Sequence, residues 1–398
     1  MDADAFPTPE EPVESITPEQ LKAEIDAGEP VTILDARMES DFDEWHIDGE
    51  NVEIVNVPYF EFLDDELSED VLEEVPEGEP LVVLCAKGGA SEYVASALQI
   101  EGREVTHLEE GMNGWARIYE RVAVTDYDGA GELYQYQRPS SGCLAYLLVD
   151  GDEAAVVDPL REFADQYVED AADLGADLVY AFDTHIHADH ISGLRDLDAY
   201  EGTTGVIPAA TEKRGVTYID AVATATDGET FEVGDATIET VYTPGHTSGM
   251  TSYLVDDSLL ATGDGLFVES VARPDLEEGD DGAPDAARQL HDSLHEKVLP
   301  LEDDVLVGGA HFSDAATPAE DGTYTAPLAS LVDRMDALTM AEDDFVELVL
   351  ADMPPRPANY EDIIATNLGE NEVDDEEAFE LELGPNNCAA SQDALTSD

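Results

Sequence analysis

Residues 184–193 read THIHADHISG and place three histidines and one aspartate within six positions. They follow the apolar run at 177–182, DLVYAF, which predicts a buried strand. The four side chains should therefore crowd one loop at the end of that strand. Imidazole nitrogens and carboxylate oxygens are the ligands preferred by metals such as zinc and iron. The predicted ligands in this loop are His185, His187, Asp189 and His190.

Three further candidate ligands lie later in the chain, each directly after an apolar run. Taken one at a time, each would be read as an ordinary loop residue. Because functional side chains gather on loops at strand ends, we expect these three to converge on the loop at 184–193. They are His246 in TPGHTSG, Asp264 in TGDGLF and His311 in GGAHFS. The complete set predicts a metal centre.

In this order, the seven residues resemble the metal ligands of the metallo-β-lactamase superfamily. The resemblance implies an αββα sandwich over residues 134–368, with the metal site at one edge of two packed sheets. In two-metal members, the positions that hold one ion correspond to His185, His187 and His246. The positions that hold the other correspond to Asp189, His190 and His311, and Asp264 takes the bridging position.

Three stretches resemble the persulfide dioxygenases within that superfamily, namely 141–159, 265–276 (GLFVESVARPDL) and 353–367 (MPPRPANYEDIIATN). The resemblance implies one Fe(II) per chain, held by His185, His246 and Asp264, with coordination positions left open for a thiol persulfide and O₂. The products would be the free thiol and sulfite. The other candidate ligands, His187, Asp189, His190 and His311, would form an outer shell.

Arg273, in the stretch 265–276, would steady an anionic substrate group or the carboxylate that binds iron. The sequence departs from the family pattern at Ala272, where glycine is usual, and at the Phe-Ser pair after His311. The identity of the thiol carrier therefore stays open. Two other interpretations also stay open. One is a two-zinc thioester hydrolase of the glyoxalase II type, and the other is a sulfur-relay or sensor protein whose metal site is not catalytic.

Residues 12–122 predict a separate α/β unit, in which the strand at 81–85 ends on Cys85. A glycine-rich loop follows, and a helix should begin near Ser91. Backbone N–H groups of such a loop form an anion-binding nest, and the helix N-terminus adds partial positive charge. Both features favour a thiolate or a persulfide on Cys85. The loop residues are Ala86, Lys87, Gly88, Gly89, Ala90 and Ser91.

This unit resembles a rhodanese domain in LDAR (34–37), 41–58, CAKGGAS (85–91) and HLEEGMNGW (107–115). The resemblance implies a sulfurtransferase that carries sulfane sulfur on Cys85 and exchanges it with thiosulfate and sulfite. Many rhodaneses have arginine where this chain has Ala90, so anionic substrates should bind less tightly. Fusion to a dioxygenase would couple the two activities in sulfane-sulfur metabolism.

The chain of 398 residues has a net charge of −79, with 95 acidic and 16 basic residues. Acid spread so evenly indicates adaptation to a salt-rich cytosol, where ions screen the repulsion. The lack of a basic stripe excludes nucleic-acid binding. With no apolar run of 18 residues and no signal peptide, we expect a cytoplasmic protein without membrane spans.

Five smaller expectations complete the sequence interpretation. Residues 123–133 are expected to be a polar linker, and the acidic residues 369–398 a disordered tail. Cys143 is expected to be structural, while Cys388, in that tail, is expected to have no role. The family resemblance also implies a possible homodimer.

Overall fold

The structure is a computed structural model that describes residues 12–63, 67–78, 80–313, 315–351 and 353–390. The chain forms two compact units. The first contains the described residues up to Ile118 together with residues 138–140, and the second contains the remaining described residues.

The first unit is a five-stranded parallel sheet in the order β1-β5-β4-β2-β3. Its strands are β1 (Glu14–Ile16), β2 (Val31–Asp35), β3 (Val52–Asn56), β4 (Leu81–Leu84) and β5 (Val105–Leu108). Its helices are α1 (Pro18–Asp26), α2 (Glu39–Glu44), α3 (Glu69–Glu74), α4 (Gly89–Ile100) and α5 (Gly111–Trp115), with a 3-10 turn at Tyr59–Phe62.

Both faces of this sheet are buried, as parallel sheets require. Leu34 and Val83 pack on one face with Val94 of α4. Neighbouring strand residues point to the other face, where they pack with Leu21 of α1 and Met112 of α5. The short apolar runs 31–35 and 81–84 are strands for this reason, and the predicted α/β unit is confirmed.

The second unit contains two further sheets. A seven-stranded sheet has the order β12-β11-β10-β9-β8-β7-β6, and a six-stranded sheet has the order β13-β14-β15-β16-β17-β18. The strands of the first are β6 (Glu120–Ala123), β7 (Glu132–Arg138), β8 (Cys143–Asp150), β9 (Glu153–Val157), β10 (Asp177–Phe182), β11 (Thr204–Pro208) and β12 (Ala223–Ala225). Those of the second are β13 (Thr230–Val233), β14 (Ala236–Tyr242), β15 (Thr251–Val255), β16 (Leu259–Gly263), β17 (Leu306–Gly309) and β18 (Thr325–Pro327).

The two sheets pack face to face with helices outside them. Phe182 of the larger sheet and Tyr253 of the smaller one share the central core. Tyr167 packs on the outer face of the first sheet, and Leu290 and Phe345 pack on that of the second. The helices are α6 (Ala164–Asp173), α7 (Leu194–Asp198), α8 (Gly279–Ser293), α9 (Leu328–Arg334), α10 (Glu342–Ala351), α11 (Tyr360–Asn367) and α12 (Asp375–Leu381), with a π-helix at Leu294–Val298. The predicted αββα sandwich is confirmed.

The structure differs from expectation at the linker. Strands β6 and β7 pair antiparallel, so most of the predicted linker 123–133 is the turn between two strands of one sheet. The helical segment after β18 is divided into α9 and α10, because Met335 has an extended backbone and is buried in the core. Within the described residues, no helix is long and apolar enough to cross a membrane.

The acidic tail also differs from its prediction. Residues 369–390 are ordered around α12, whose N-cap Asp374 accepts a hydrogen bond from the backbone N–H of Glu377. Phe379 is 1% exposed, and Ala378 packs with Ile191 and Ile363. These two residues, together with the buried Cys388 and Ala390, dock the stretch against the sandwich by removing apolar surface from water. Residues 391–398 of the predicted tail lie outside the described residues.

Candidate metal centre and sulfur-carrying loop

The three predicted iron ligands come together at one edge of the sandwich. His185 follows β10, His246 follows β14, and Asp264 follows β16. The Asp264 Oδ2 atom lies 3.6 Å from the Nε2 atom of His185 and 3.4 Å from that of His246. All three side chains are fully buried, and their ligand atoms lie within 4.8 Å of one another.

The orientation of this triad leaves its converging atoms without partners. Each histidine uses its Nδ1 atom elsewhere: that of His246 donates to the Arg273 carbonyl at 2.9 Å, and that of His185 lies 2.9 Å from the Thr184 hydroxyl. The two Nε2 atoms and the Asp264 Oδ2 have no hydrogen-bond partner among the described residues. Buried polar atoms of this kind are costly unless something satisfies them. A divalent metal ion bound by all three atoms fits this arrangement.

The protonation states also suit a metal. Burial lowers the pKa of His185 to about 3 and also lowers that of His246, so both rings are neutral at pH 7. Burial alone would raise the pKa of Asp264, but the charge of His311 holds it well below its usual value. Neutral imidazoles and an ionised carboxylate are the forms that bind metal ions.

A second cluster adjoins the triad. The His311 Nε2 atom lies 2.6 Å from Asp189 Oδ2, and its Nδ1 atom lies 2.6 Å from Asp264 Oδ1. The two carboxylates raise the pKa of His311 well above its usual value, against the effect of burial. A doubly protonated His311 can donate to both carboxylates at once. His311 therefore joins the second cluster to the triad.

Cys143 belongs to this second cluster, although the sequence indicated only a structural role. Its thiol donates to Asp189 Oδ2 at 3.2 Å, and its Sγ lies within 4.8 Å of the possible ligand atoms of Asp189, His190 and His311. His190 Nδ1 also contacts Asp189 Oδ2 at 3.2 Å. A cysteine that begins a core strand carries no sequence signal for such a position.

His187 is oriented by a carboxylate outside both clusters, although its ring centroid lies 4.2 Å from that of His185 and its Nδ1 atom has no hydrogen-bond partner among the described residues. Its Nε2 atom lies 3.1 Å from Asp158 Oδ1, and Asp158 also accepts from the backbone and hydroxyl of Thr184. The possible ligand atoms of His187 are grouped with Asp158 and Asp183 rather than with the triad. Asp158 and Asp183 were missed by the sequence interpretation.

The ligand loop is braced by distant residues that also escaped sequence analysis. The Asn367 side-chain amide donates to the carbonyls of His187 and His190 at 3.0 and 2.8 Å, and its oxygen accepts from the Ser192 backbone at 3.0 Å. Glu382 accepts from the Ile191 backbone at 2.8 Å. Asn367 stands in the stretch 353–367 that resembles the persulfide dioxygenases, which is the one signal that could have found it.

Arg273 is placed differently from its predicted role. Its guanidinium pairs with the Asp275 carboxylate, at 2.7 Å for Nε, and donates to the carbonyls of Pro355 and Asn387. None of the contacts described for its side chain is to Asp264. Its influence on the triad runs through its backbone carbonyl, which orients His246. The geometry makes Arg273 a clamp for the segments around the site.

Cys388 lies at the site rather than in a disordered tail. It is fully buried, packs with Ala188 and Phe267, and its Sγ lies within 4.8 Å of oxygen or nitrogen atoms of Asp264 and His311. Burial raises the pKa of its thiol well above the usual value. The predicted location of Cys388 in a disordered tail is therefore wrong, whereas the expectation that it has no role stays a prediction.

The predicted sulfur-carrying loop is formed in the first unit. Cys85 is 5% exposed, and its Sγ accepts from the Gly88 backbone N–H at 3.2 Å. Its thiol also contacts the Ser91 hydroxyl at 3.4 Å. The twelve-residue helix α4 begins at Gly89, so its N-terminus follows the sulfur directly. Ala90, in the first turn of α4, is nearly buried.

A second stretch of the first unit supports this loop. The backbone N–H of Met112 donates to the Cys85 carbonyl at 2.8 Å, and that of Asn113 donates to the Ala86 carbonyl at 2.9 Å. Gly111 has φ +57°, and a Cβ atom there would lie 2.0 Å from the Cys85 carbonyl oxygen. The glycine of HLEEGMNGW is thus required by close approach. A cavity of about 250 Å³ lies beside Cys85, lined in part by Met38, Tyr59 and Lys87.

Comparison with known proteins gives a family for each of the two parts of the chain. Residues 139–311 match the metallo-β-lactamase superfamily, and residues 17–118 match the rhodanese-like domain. The chain is 30% identical over 245 residues to the mitochondrial persulfide dioxygenase ETHE1 of Homo sapiens, which covers 59% of this chain and 87% of that protein. It is 31% identical over 214 residues to a hydroxyacylglutathione hydrolase of Methylococcus capsulatus, which covers 52% of this chain and 73% of that one.

A solved structure is also similar to this chain. ETHE1 from Myxococcus xanthus superposes with a TM-score of 0.51 at 27% identity, covering 60% of this chain and 99% of that chain. The resemblance predicted from the sequence is confirmed in both parts of the chain. The protein belongs to the metallo-β-lactamase superfamily, as an enzyme related to the persulfide dioxygenases that also carries a rhodanese-like domain.

Proposed function

We propose that this protein is an iron(II)-dependent persulfide dioxygenase coupled to a sulfurtransferase domain. The reaction is R–S–SH + O₂ + H₂O giving R–SH and sulfite with two protons, so the terminal sulfur loses four electrons to O₂. The observation that carries the proposal is the triad of unpartnered buried atoms on His185, His246 and Asp264. Two histidines and one carboxylate form the facial triad of many iron(II) oxygenases.

Bound iron(II) would supply open coordination positions at which the persulfide sulfur and O₂ meet. The protein's part is to hold the ligands in one orientation and one charge state. The Arg273 carbonyl fixes the ring of His246. His311 binds Asp264 through Oδ1 and leaves Oδ2 directed at the two histidines. Outer contacts of this kind typically change metal affinity or activity by about 10- to 100-fold.

The rhodanese-like domain would move sulfane sulfur to or from this reaction. The Cys85 thiolate attacks the outer sulfur of thiosulfate, and the S–S bond breaks to release sulfite and leave a persulfide on Cys85. In the reverse direction, sulfite takes the outer sulfur from the Cys85 persulfide and gives thiosulfate. The Gly88 N–H that contacts Sγ, together with the α4 N-terminus, stabilises the anion in both directions.

A zinc thioester hydrolase of the glyoxalase II type is the second candidate. The observation that favours it is the cluster of Cys143, Asp189, His190 and His311, which offers ligand atoms for a second ion beside the triad. Two metal ions can hold a bridging hydroxide that attacks a thioester. The short contact between Asp189 Oδ2 and His311 Nε2 favours the first proposal, because these two atoms satisfy each other without a metal. The Asp189 Oδ1 and His190 Nε2 atoms have no partner among the described residues, which favours the second.

Metal analysis and oxygen uptake separate the two candidates. The full chain would be purified in molar KCl under reducing conditions and supplied with iron(II) or zinc. The dioxygenase should bind about one iron per chain and consume O₂ on addition of a small thiol persulfide, with sulfite formed in equal amount. Two zinc ions per chain with hydrolysis of a glutathione thioester, and no oxygen uptake by the iron-loaded protein, would overturn the first proposal.

We also propose that the protein works in a salt-rich cytosol. At a net charge of −79, the acidic side chains would repel one another strongly in dilute buffer. Molar salt screens this repulsion, because it reduces the Debye length to about 3 Å. Thermal unfolding followed in KCl from 0.1 M to 3 M is therefore expected to shift upward throughout the range. A melting temperature that is independent of KCl would contradict this.

A further inference from the structure

The metal triad has no contact with solvent. The side chains of His185, His246 and Asp264 are 0% exposed, although a persulfide and O₂ would have to reach a metal bound there. Residues 384–390, called the strap below, lie against this site. The Sγ atom of Cys388 in the strap is within 4.8 Å of a possible ligand atom of Asp264. Entry of a substrate therefore requires a movement near the triad, and the strap is the segment to consider.

The strap is fastened to the segment 270–273. The backbone N–H of Arg273 donates to the Cys388 carbonyl at 3.2 Å, and the Arg273 guanidinium donates to the Asn387 carbonyl at 2.9 Å. The Arg273 carbonyl in turn accepts from the Nδ1 atom of His246 at 2.9 Å. The strap and a metal ligand are thus held by the same residue.

The strap has the features of a segment that opens locally. It begins at Gly384, whose φ of +112° lies in the region that glycine adopts without strain. Among residues 385–390, only Cys388 and Ala390 are buried. Two small side chains remove little apolar area from water, so they stabilise the closed strap only weakly. Segments with so few buried contacts open while the rest of a domain stays folded.

One side chain of the strap, that of Asn386, acts as a latch. Its amide N–H donates to the Ser141 carbonyl, just before β8. Its oxygen accepts from the backbone N–H of Cys388 at 3.0 Å. The first bond joins the strap to the sandwich, and the second fixes the turn that places the thiol. Loss of the Asn386 side chain should therefore loosen the strap without removing a metal ligand or the Cys388 sulfur.

The closed strap puts a sulfur atom where a substrate sulfur would have to arrive. The Cys388 thiol packs against Ala188 of the ligand loop and against Phe267. Close to it, the fully buried Asp264 Oδ2 has no hydrogen-bond partner among the described residues. A persulfide bound to a metal at Asp264 must bring its terminal sulfur next to this carboxylate. Two sulfur atoms cannot share that space, so the closed strap and a bound substrate exclude each other.

We propose that the strap is a self-inhibitory closure of the metal centre, in which Cys388 occupies the place of the substrate sulfur until the strap opens. This inference rests on the proposed dioxygenase function and concerns the regulation of the same site. It gives Cys388 a role that the sequence did not indicate. Because only open molecules bind substrate, the apparent affinity is the intrinsic affinity reduced by the open fraction. A closed strap also shields a bound metal from chelators.

Removal of the metal tests the closure without turnover. The full chain would be loaded with iron(II) in molar KCl under argon, and its loss of iron to phenanthroline followed by the absorbance of the coloured complex. Asn386→Ala is expected to lose iron about tenfold faster than the wild type, because the loss of its hydrogen bonds raises the open fraction. Asn371→Ala makes the same substitution at an exposed position and should keep the wild-type rate. Equal rates for Asn386→Ala and the wild type would overturn the inference.

Thiol labelling shows whether the strap opens separately from the rest of the domain. N-Ethylmaleimide modifies accessible thiols, and peptide mass spectrometry reports each cysteine by itself. Cys388 is expected to react in the folded wild type and about tenfold faster in Asn386→Ala. Cys143 in the core strand β8 should stay unmodified over the same period. A common rate for both thiols would mean that the domain opens only as a whole, and the strap would then be no closure.

Turnover distinguishes a closure from a structural role. Cys388→Ala removes the sulfur but keeps the backbone of the strap, so KM for a small thiol persulfide is expected to fall about tenfold with kcat and iron content unchanged. A merely structural cysteine would instead raise KM or lower the iron content. A KM that does not fall in either Cys388→Ala or Asn386→Ala would overturn the inference. If the strap opens as expected but no persulfide consumes O₂, the dioxygenase proposal fails while the closure stands.

Discussion

The two reactive sites of this protein are built in opposite ways. The Cys85 loop is one continuous stretch, residues 85–91, in which the backbone N–H of Gly88 contacts the sulfur. The metal centre takes its ligands from the ends of β10, β14 and β16 and is braced by residues after 360. A local loop depends on backbone conformation, whereas an assembled centre depends on the packing of the whole sandwich. The Cys85 loop should therefore be sensitive only to substitutions within or next to it, whereas the metal centre should be sensitive to substitutions in distant parts of the chain.

Asp264→Asn is expected to give the largest effect. The amide cannot supply the negative charge that the two neutral histidines need to bind a divalent ion, and His311 loses its ionised partner. Iron content should fall below about one tenth of an equivalent. Oxygen uptake should fall by more than about a hundredfold, which exceeds the largest effect typical of losing an outer contact to a ligand. Elemental analysis and oxygen-electrode measurements would follow both.

The control is Asp333→Asn, which makes the same substitution at an exposed aspartate of α9. It should keep full iron and full activity. Loading of sulfur onto Cys85 should be unaffected by Asp264→Asn, since that loop is built locally. A variant that retained a full equivalent of iron would contradict the assignment of Asp264 as a ligand.

Cys85→Ser tests the local site. It should abolish sulfur transfer from thiosulfate, because serine cannot form a persulfide, and mass spectrometry should detect no added sulfur atom. Oxygen uptake with a supplied persulfide should stay within about twofold of the wild type, if the dioxygenase works without the carrier. Should the variant handle thiosulfate as the wild type does, the proposed sulfurtransferase activity and its coupling to the dioxygenase would be lost.

Asn367→Ala sharpens the contrast, since this residue is far from the metal ligands in sequence. Its amide closes three hydrogen bonds to the ligand loop, all buried. Removing it leaves the carbonyls of His187 and His190 unpaired, and iron affinity is expected to fall about tenfold. Competition with a chelator measures this. Asn371→Ala, at an exposed position nearby, should leave the affinity unchanged.

The same contrast explains which features the sequence could predict. The strands before Cys85 and before His185 are short apolar runs, and the reactive residues follow them directly, so local pattern was sufficient. Asn367 and Cys388 reach the site only after the chain has folded back over it, and no local pattern marks such a contact. The acidic tail was expected to be disordered because its composition is polar. Its few apolar residues, among them Ala378, Phe379 and Cys388, are nevertheless buried and hold it in place.

Each unit also contains a buried arginine–aspartate pair two residues apart. In the first unit, Arg37 binds Asp35 with Nη2 at 2.7 Å. In the second, Asp275 binds Arg273 and also Arg356. The second pair holds segments of an assembled site, because Arg273 donates to the carbonyls of Pro355 and Asn387. Loss of Asp275 should therefore destabilise the segments that Arg273 holds, in addition to removing its own ion pairs.

Asp275→Asn is expected to cost about 3 kcal/mol of unfolding free energy at pH 7, because it leaves buried guanidinium charge uncompensated. Burial alone would raise the pKa of Asp275, but Arg273 and Arg356 lower it below its usual value. An acid with a lowered folded-state pKa stabilises the protein above the unfolded value, about 3.9, and this contribution is lost as pH falls through the folded pKa. The difference between wild type and variant should thus be constant from pH 7 to about 5 and shrink below about 4, as measured by denaturant unfolding in molar KCl. Asp280→Asn, which removes the exposed partner of Arg356, should cost less than about 1 kcal/mol. A difference for Asp275→Asn that stayed constant down to pH 3 would show that the carboxylate charge is not what holds the clamp together.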